Sequence, residues 1–113
     1  MKFDEGPLRP VLARIIEILH PEQIWLFGSR AEGRARPDSD YDLLVVVPDG
    51  SPMADLDPAG AYEVTRGQGL PIDLVPCPRS VFEQEKGEVN TLPRAAYVRG
   101  RLLYEQTKDR DAA

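Results

Sequence analysis

Phe27-Gly28-Ser29-Arg30-Ala31-Glu32-Gly33-Arg34-Ala35-Arg36-Pro37-Asp38-Ser39-Asp40-Tyr41-Asp42-Leu43-Leu44-Val45 joins two apolar stretches through a polar segment rich in arginine. The stretch Ile24-Trp25-Leu26-Phe27 reads as a short buried strand over 23–27, closed by Gly28. A strand that turns at glycine into a helix presents unpaired backbone N–H groups. Ser29 at the cap adds a hydroxyl, and the helix start carries partial positive charge, so the turn suits a phosphate chain. Arg30, Arg34 and Arg36 reinforce that local potential. After ten intervening residues, Asp40-Tyr41-Asp42 heads a second strand over 41–47. Side chains alternate along a strand, which puts Asp40 and Asp42 on one face and Tyr41 and Leu43 on the other. Two carboxylates a few ångströms apart repel by roughly 1 kcal/mol in water and by several times that in a partly dry cleft, so the pair calls for a divalent cation.

A third carboxylate stands in Leu70-Pro71-Ile72-Asp73-Leu74-Val75, where a lone Asp interrupts an apolar run. An acidic side chain there is expensive to bury without a cation or a donor. Asp73 follows Asp42 by 31 residues, enough for a crossover helix that returns its strand beside the first. In a two-metal arrangement, bridging carboxylates hold both ions, one activating the attacking oxygen and the other neutralising the leaving group. Asp73 is expected to bind the activating metal and to help deprotonate the acceptor hydroxyl.

Gly-Ser, ten residues, Asp-x-Asp and a later lone Asp in a strand resemble the minimal nucleotidyltransferases of the DNA polymerase beta superfamily. The central motif is specific. The likeness extends loosely over residues 8–105 and includes the closing Tyr97-Val98-Arg99-Gly100-Arg101-Leu102-Leu103-Tyr104-Glu105, which is similar to the family's last helix and strand. The resemblance implies nucleotidyl transfer from ATP with two Mg²⁺ ions. Gly28, Ser29 and Arg30 would lie on the phosphates, with Asp40, Asp42 and Asp73 as metal-binding catalytic carboxylates. It further implies a toxin–antitoxin pairing, in which such proteins attach AMP to a tyrosine of a HEPN-type toxin partner. A non-catalytic binding antitoxin and nucleotidyl transfer to RNA or a small molecule are the alternatives. Against the first of these stand the three intact carboxylates, whose electrostatic cost an idle site would not need.

Asp and Ser favour turns and caps, so Asp38-Ser39-Asp40 taken alone also reads as a polar turn. A calcium loop starting at Asp38 would need Gly at its sixth position and Glu at its twelfth, where this chain has Leu43 and Asp49. The chain of 113 residues is expected to form one domain over 1–105 with a polar tail over 106–113, leaving no room for a separate acceptor domain. The formal net charge of −5 disfavours an extended nucleic-acid surface. Cys77 is the single cysteine, so neither an internal disulfide nor a cysteine-rich zinc site is expected. No signal peptide or membrane-length apolar run is visible, and a cytoplasmic location is expected.

Leu8, Val11, Leu12, Ile15, Ile16 and Leu19 recur at helical spacing, bounded by Pro10 and Pro21, and His20 is expected to cap that helix. A short helix is expected after Ser29. The segment 51–69 reads as a mobile loop near the nucleotide, with a helix at 58–66. A third strand over 70–75, ended by Pro76 and Pro78, a helix at 80–86, a helix at 90–99 stopped by a left-handed Gly100, and a strand at 101–105 complete the expectation. The fold class is α/β (α+β): a small mixed sheet flanked by helices, of the polymerase-beta-like nucleotidyltransferase type.

Overall fold

The computed structural model describes residues 6–107. Four strands and five helices follow one another as α1 (Arg9–Leu19), β1 (Gln23–Phe27), α2 (Ser29–Glu32), β2 (Tyr41–Val47), α3 (Pro58–Thr65), β3 (Ile72–Pro78), α4 (Arg79–Glu85), α5 (Leu92–Arg99) and β4 (Arg101–Glu105). The strands form one mixed sheet in the order β3-β2-β1-β4. β1 is antiparallel to both β2 and β4, whereas β2 and β3 run parallel. That parallel pair needs a crossover, which the 48–71 connection supplies through α3.

Period-two burial divides the core into two layers. Ile24, Leu26, Leu43, Val45, Val47 and Leu74 face α1 and α3. Trp25, Phe27, Leu44, Val46 and Cys77 face α4 and α5, where Phe82 and Ala96 meet them. Trp25 stacks on Phe82 with ring centroids 5.7 Å apart, and its indole N–H donates to Gln23 Oε1 at 3.0 Å. Gln23 in turn donates to Glu105 Oε2 at 3.0 Å. The one polar side chain that these strands bury fully, among the described residues, is therefore satisfied.

Helix ends follow local chemistry. His20 is left-handed at φ 49° and closes α1 by donating its N–H to Ile16 O at 3.0 Å, the expected cap role. Asp57 caps α3 by accepting from Gly60 N–H at 2.7 Å, and Thr91 caps α5 by accepting from Arg94 N–H at 3.2 Å.

Three expectations need correction. β3 starts at Ile72 rather than residue 70 and runs through both prolines to Pro78. It is the sheet's outer strand, where a residue lacking an N–H on the solvent side forfeits no ladder bond. Gly100 is extended, at φ −93°, instead of left-handed. A glycine is needed there because a Cβ would collide with the carbonyl oxygens of Ala96 and Leu26, where α5 folds back tightly onto β1. The segment 51–69 is built rather than loose, with a 3-10 turn at Pro52–Asp55 ahead of α3. The expected polar tail lies outside the described residues beyond Thr107, and Gln106 N–H bonds Glu22 O at 2.8 Å.

Candidate active site

β1 ends at Phe27, opposite Asp42 on β2, and the chain then breaks sharply at Gly28. With φ 79° and ψ −158°, Gly28 occupies a region that is essentially closed to residues with a side chain. Its carbonyl accepts from Ala31 and Glu32 at 3.1 Å, starting α2. The amides of Ser29 and Arg30 are thus the first of the helix, without an intrahelical acceptor. A Cβ on Gly28 would run into the Asp42 carboxylate, so turn and acid lie against each other.

On the opposite side Asp42 is in register with Asp73 of β3. Partners in a parallel pair project to the same face, so Asp42 and Asp73 lie on the face that α4 and α5 cover further along. Asp40 stands just ahead of β2, near enough for its charge to bear on Asp42. Asp42 is partly buried while Asp40 and Asp73 are exposed. Burial, followed by the negative charges of Asp73 and Asp40, raises the Asp42 carboxyl above the ordinary Asp value of 3.8. Asp42 and the two carboxylates whose charges bear on it form an all-oxygen, hard-ligand set of the kind magnesium prefers. Among the described residues, however, no three acidic, His or Cys side chains are already gathered at metal-ligand spacing. Coordination would require side-chain rotation to draw these three together.

Arg30 turns to the loop ahead of β2. Its Nε and Nη2 donate to Ser39 O at 3.2 and 2.8 Å, and Nη2 also donates to Pro37 O at 3.1 Å. The guanidinium lies 4.3 Å above the Tyr41 ring. Arg30 therefore clamps the segment that delivers Asp40, a role with no sequence signal beyond an arginine placed ahead of a Pro-Asp-Ser turn. Arg34 pairs with Glu32 at 3.4 Å, and the Arg36 amide donates to Ser39 Oγ at 2.9 Å.

Sequence reasoning missed Tyr62. This exposed tyrosine of α3 lines two cavities at the β3 edge. One, of about 290 Å³, includes Asp57 and Asp73; the other, of about 430 Å³, includes Asp40 and Arg66. No periodicity announced it, since it lies on the side of α3 away from the core.

The model of the nucleotidyltransferase domain family matches residues 10–102. No curated protein matches the chain. Among solved structures, it is similar to one described as the toxin-antitoxin with AMP-PNP, at 21% identity and a TM-score of 0.55, over 91% of this chain and 77% of that one. It is also similar to a protein from Sulfolobus solfataricus described as a nucleotidyltransferase, at 22% identity and a TM-score of 0.51, over 90% of this chain and 86% of that one. At such identities these likenesses speak to the fold.

Proposed function

The chain belongs to the nucleotidyltransferase domain family, and we propose that it transfers AMP from ATP, with magnesium, to a tyrosine of a HEPN-type toxin partner, acting as its antitoxin. The observation that carries this reading is the placement of Asp42 between the Gly28 turn and Asp73, with a carboxyl group raised by burial and by two acidic neighbours. Such a concentration of negative charge next to an amide-rich turn fits a cation and a polyphosphate bound side by side. A relative of the same fold was solved as a toxin-antitoxin with AMP-PNP, which supports an adenine nucleotide and a toxin partner here.

In this reading Gly28 and Ser29 receive the phosphate chain through backbone N–H groups and the serine hydroxyl. Arg30 adds charge to the turn and keeps the loop before Asp40 in place. Asp40, Asp42 and Asp73 would hold magnesium, which supplies charge neutralisation at the reacting phosphate. The acceptor hydroxyl approaches along the exposed β3 edge, where Asp73 is positioned to take its proton. The oxygen bonds to the α-phosphorus, the α–β phosphoanhydride bond breaks, and pyrophosphate leaves.

The test is mass spectrometry of a co-expressed HEPN-type partner after incubation with this protein, magnesium and each nucleoside triphosphate in turn. A gain of one or more AMP masses on a partner tyrosine is the expected result. A stable complex without any mass gain would overturn transfer and leave binding alone.

A further inference from the structure

We propose that the outer edge of β3 takes an extended segment of the protein acceptor as an added antiparallel strand, with the target tyrosine opposite Asp73. The inference rests on the nucleotidyl-transfer reading and adds to it the way in which the acceptor is held.

The backbone carries the first argument. Tyr41 N–H donates to Pro71 O at 2.8 Å, and from there β2 and β3 run parallel in unbroken register. Peptide groups alternate sides along a strand, so those of Asp73, Val75 and Cys77 bond β2 while those of Ile72 and Leu74 turn outward. Among the described residues no strand lies beyond β3. The N–H and carbonyl groups of Ile72 and Leu74 are therefore offered at a sheet edge, the template for strand addition. Pro76 and Pro78 share that outward parity and have no N–H. They stop the pairing after Val75 and confine it to the stretch around Asp73.

Register supplies the second. In an antiparallel addition Ile72 and Leu74 make the hydrogen-bonded pairs, which leaves Asp73 in the closer, non-hydrogen-bonded kind, with about 4.5 Å between the two Cα atoms. Residues directly opposite project to the same face. A tyrosine opposite Asp73 thus stands on the face that Asp73 shares with Asp42, beside the group that takes its proton.

The surroundings provide the third. The tyrosine's two neighbours project to the other face, towards α3. There Leu56 and Tyr62 line the hollow of about 290 Å³ that follows the strand from Ile72 to Pro76. Tyr62 is 62% exposed, and its ring can cover apolar side chains laid against it. Asp57, exposed and lining the same hollow, adds negative charge to a chain whose net charge is already −5. The segment that fits is therefore a tyrosine between apolar, β-branched residues, with lysine or arginine outside them.

A blocked heptapeptide, Lys-Thr-Val-Tyr-Val-Thr-Lys, tests this on the full chain, against the same peptide N-methylated at both valines and against N-acetyltyrosine amide. With magnesium and ATP, mass spectrometry reads AMP transfer; with magnesium and a non-hydrolysable ATP analogue, NMR reads hydrogen exchange at the Ile72 and Leu74 amides. The plain peptide should be modified with a kcat/KM about tenfold or more above that of N-acetyltyrosine amide and should slow exchange at both amides. N-methylation removes the donors that face the Ile72 and Leu74 carbonyls and should lower kcat/KM several-fold to about tenfold. Equal rates for the two peptides, or modification with exchange at both amides unchanged, would overturn the added strand and leave the transfer reading standing. Slowed exchange without AMP transfer would uphold the strand and overturn transfer. If no acceptor is modified and neither amide responds, the added strand falls, and AMP on the co-expressed partner then decides the transfer reading separately.

Discussion

Asp42 has Gly28 against it from one neighbouring strand and Asp73 beside it on the other, and its partly buried carboxyl holds a proton more tightly than a free Asp does. A group whose folded pKa exceeds its unfolded one binds more protons in the folded state. Its contribution to stability therefore falls as pH rises from the ordinary 3.8 through the raised value, and recovers on acidification. Asp42→Asn removes this penalty. In chelator, urea midpoints should show the variant more stable than wild type at neutral pH, the difference shrinking towards pH 3.8 and below. A variant destabilised at neutral pH, with no such trend, would show that the carboxylate is not under electrostatic load. The same variant should lose nucleotide transfer by more than about 100-fold, since even losing an outer partner of a metal ligand costs about 10–100-fold.

At the scale of elements, α5 meets β1 through Gly100. A side chain there would strike the carbonyls of Ala96 and Leu26 although the backbone itself is unstrained. Gly100→Ala should therefore destabilise the fold by about 1–3 kcal/mol through overpacking, read from urea unfolding. An unchanged midpoint would mean that α5 shifts without loss. The sequence displayed a glycine after a helix but not its full reason, because one of the two clashing carbonyls, that of Leu26, comes from a strand more than seventy residues away in the chain. β1 and β2 were legible to the residue, since apolar runs bounded by Gly and Pro leave little freedom. β3 was read short because prolines end a strand unless it is an outer one, and strand order is not written locally. The Gly-Ser turn and the three acids stood out by type and spacing, and the register of Asp42 with Asp73 is what brings two of them together. The clamp of Arg30 on Pro37 and Ser39, the position of Tyr62 and the hollow beside Val75 arise where separate segments meet, and no single stretch encodes them.

For the molecule as a whole, a site assembled from β1, β2 and β3 couples ligand binding to global folding. A nucleotide that binds only the folded chain, at a hundredfold excess over its Kd, stabilises it by about 2.7 kcal/mol. For a domain of this size that corresponds to a rise in melting midpoint of about 10 °C. Thermal melts with magnesium and ATP together should show this shift in wild type and none in Asp42→Asn. Equal shifts in both would place the nucleotide elsewhere. Among the described residues no helix is long and apolar enough to cross a membrane.

The pairing of Asp42 with Asp73 is the same ladder that sets Leu43 beside Leu74 and Val45 beside Pro76. A slip of β3 by a single residue would swing Asp73 into the oily layer beneath α1 and expel Leu74 from it. Chemistry and solidity are thus inherited together: any drift that misaligns the acids also unmakes the interior, so a half-competent form of this protein has no stable shape to occupy.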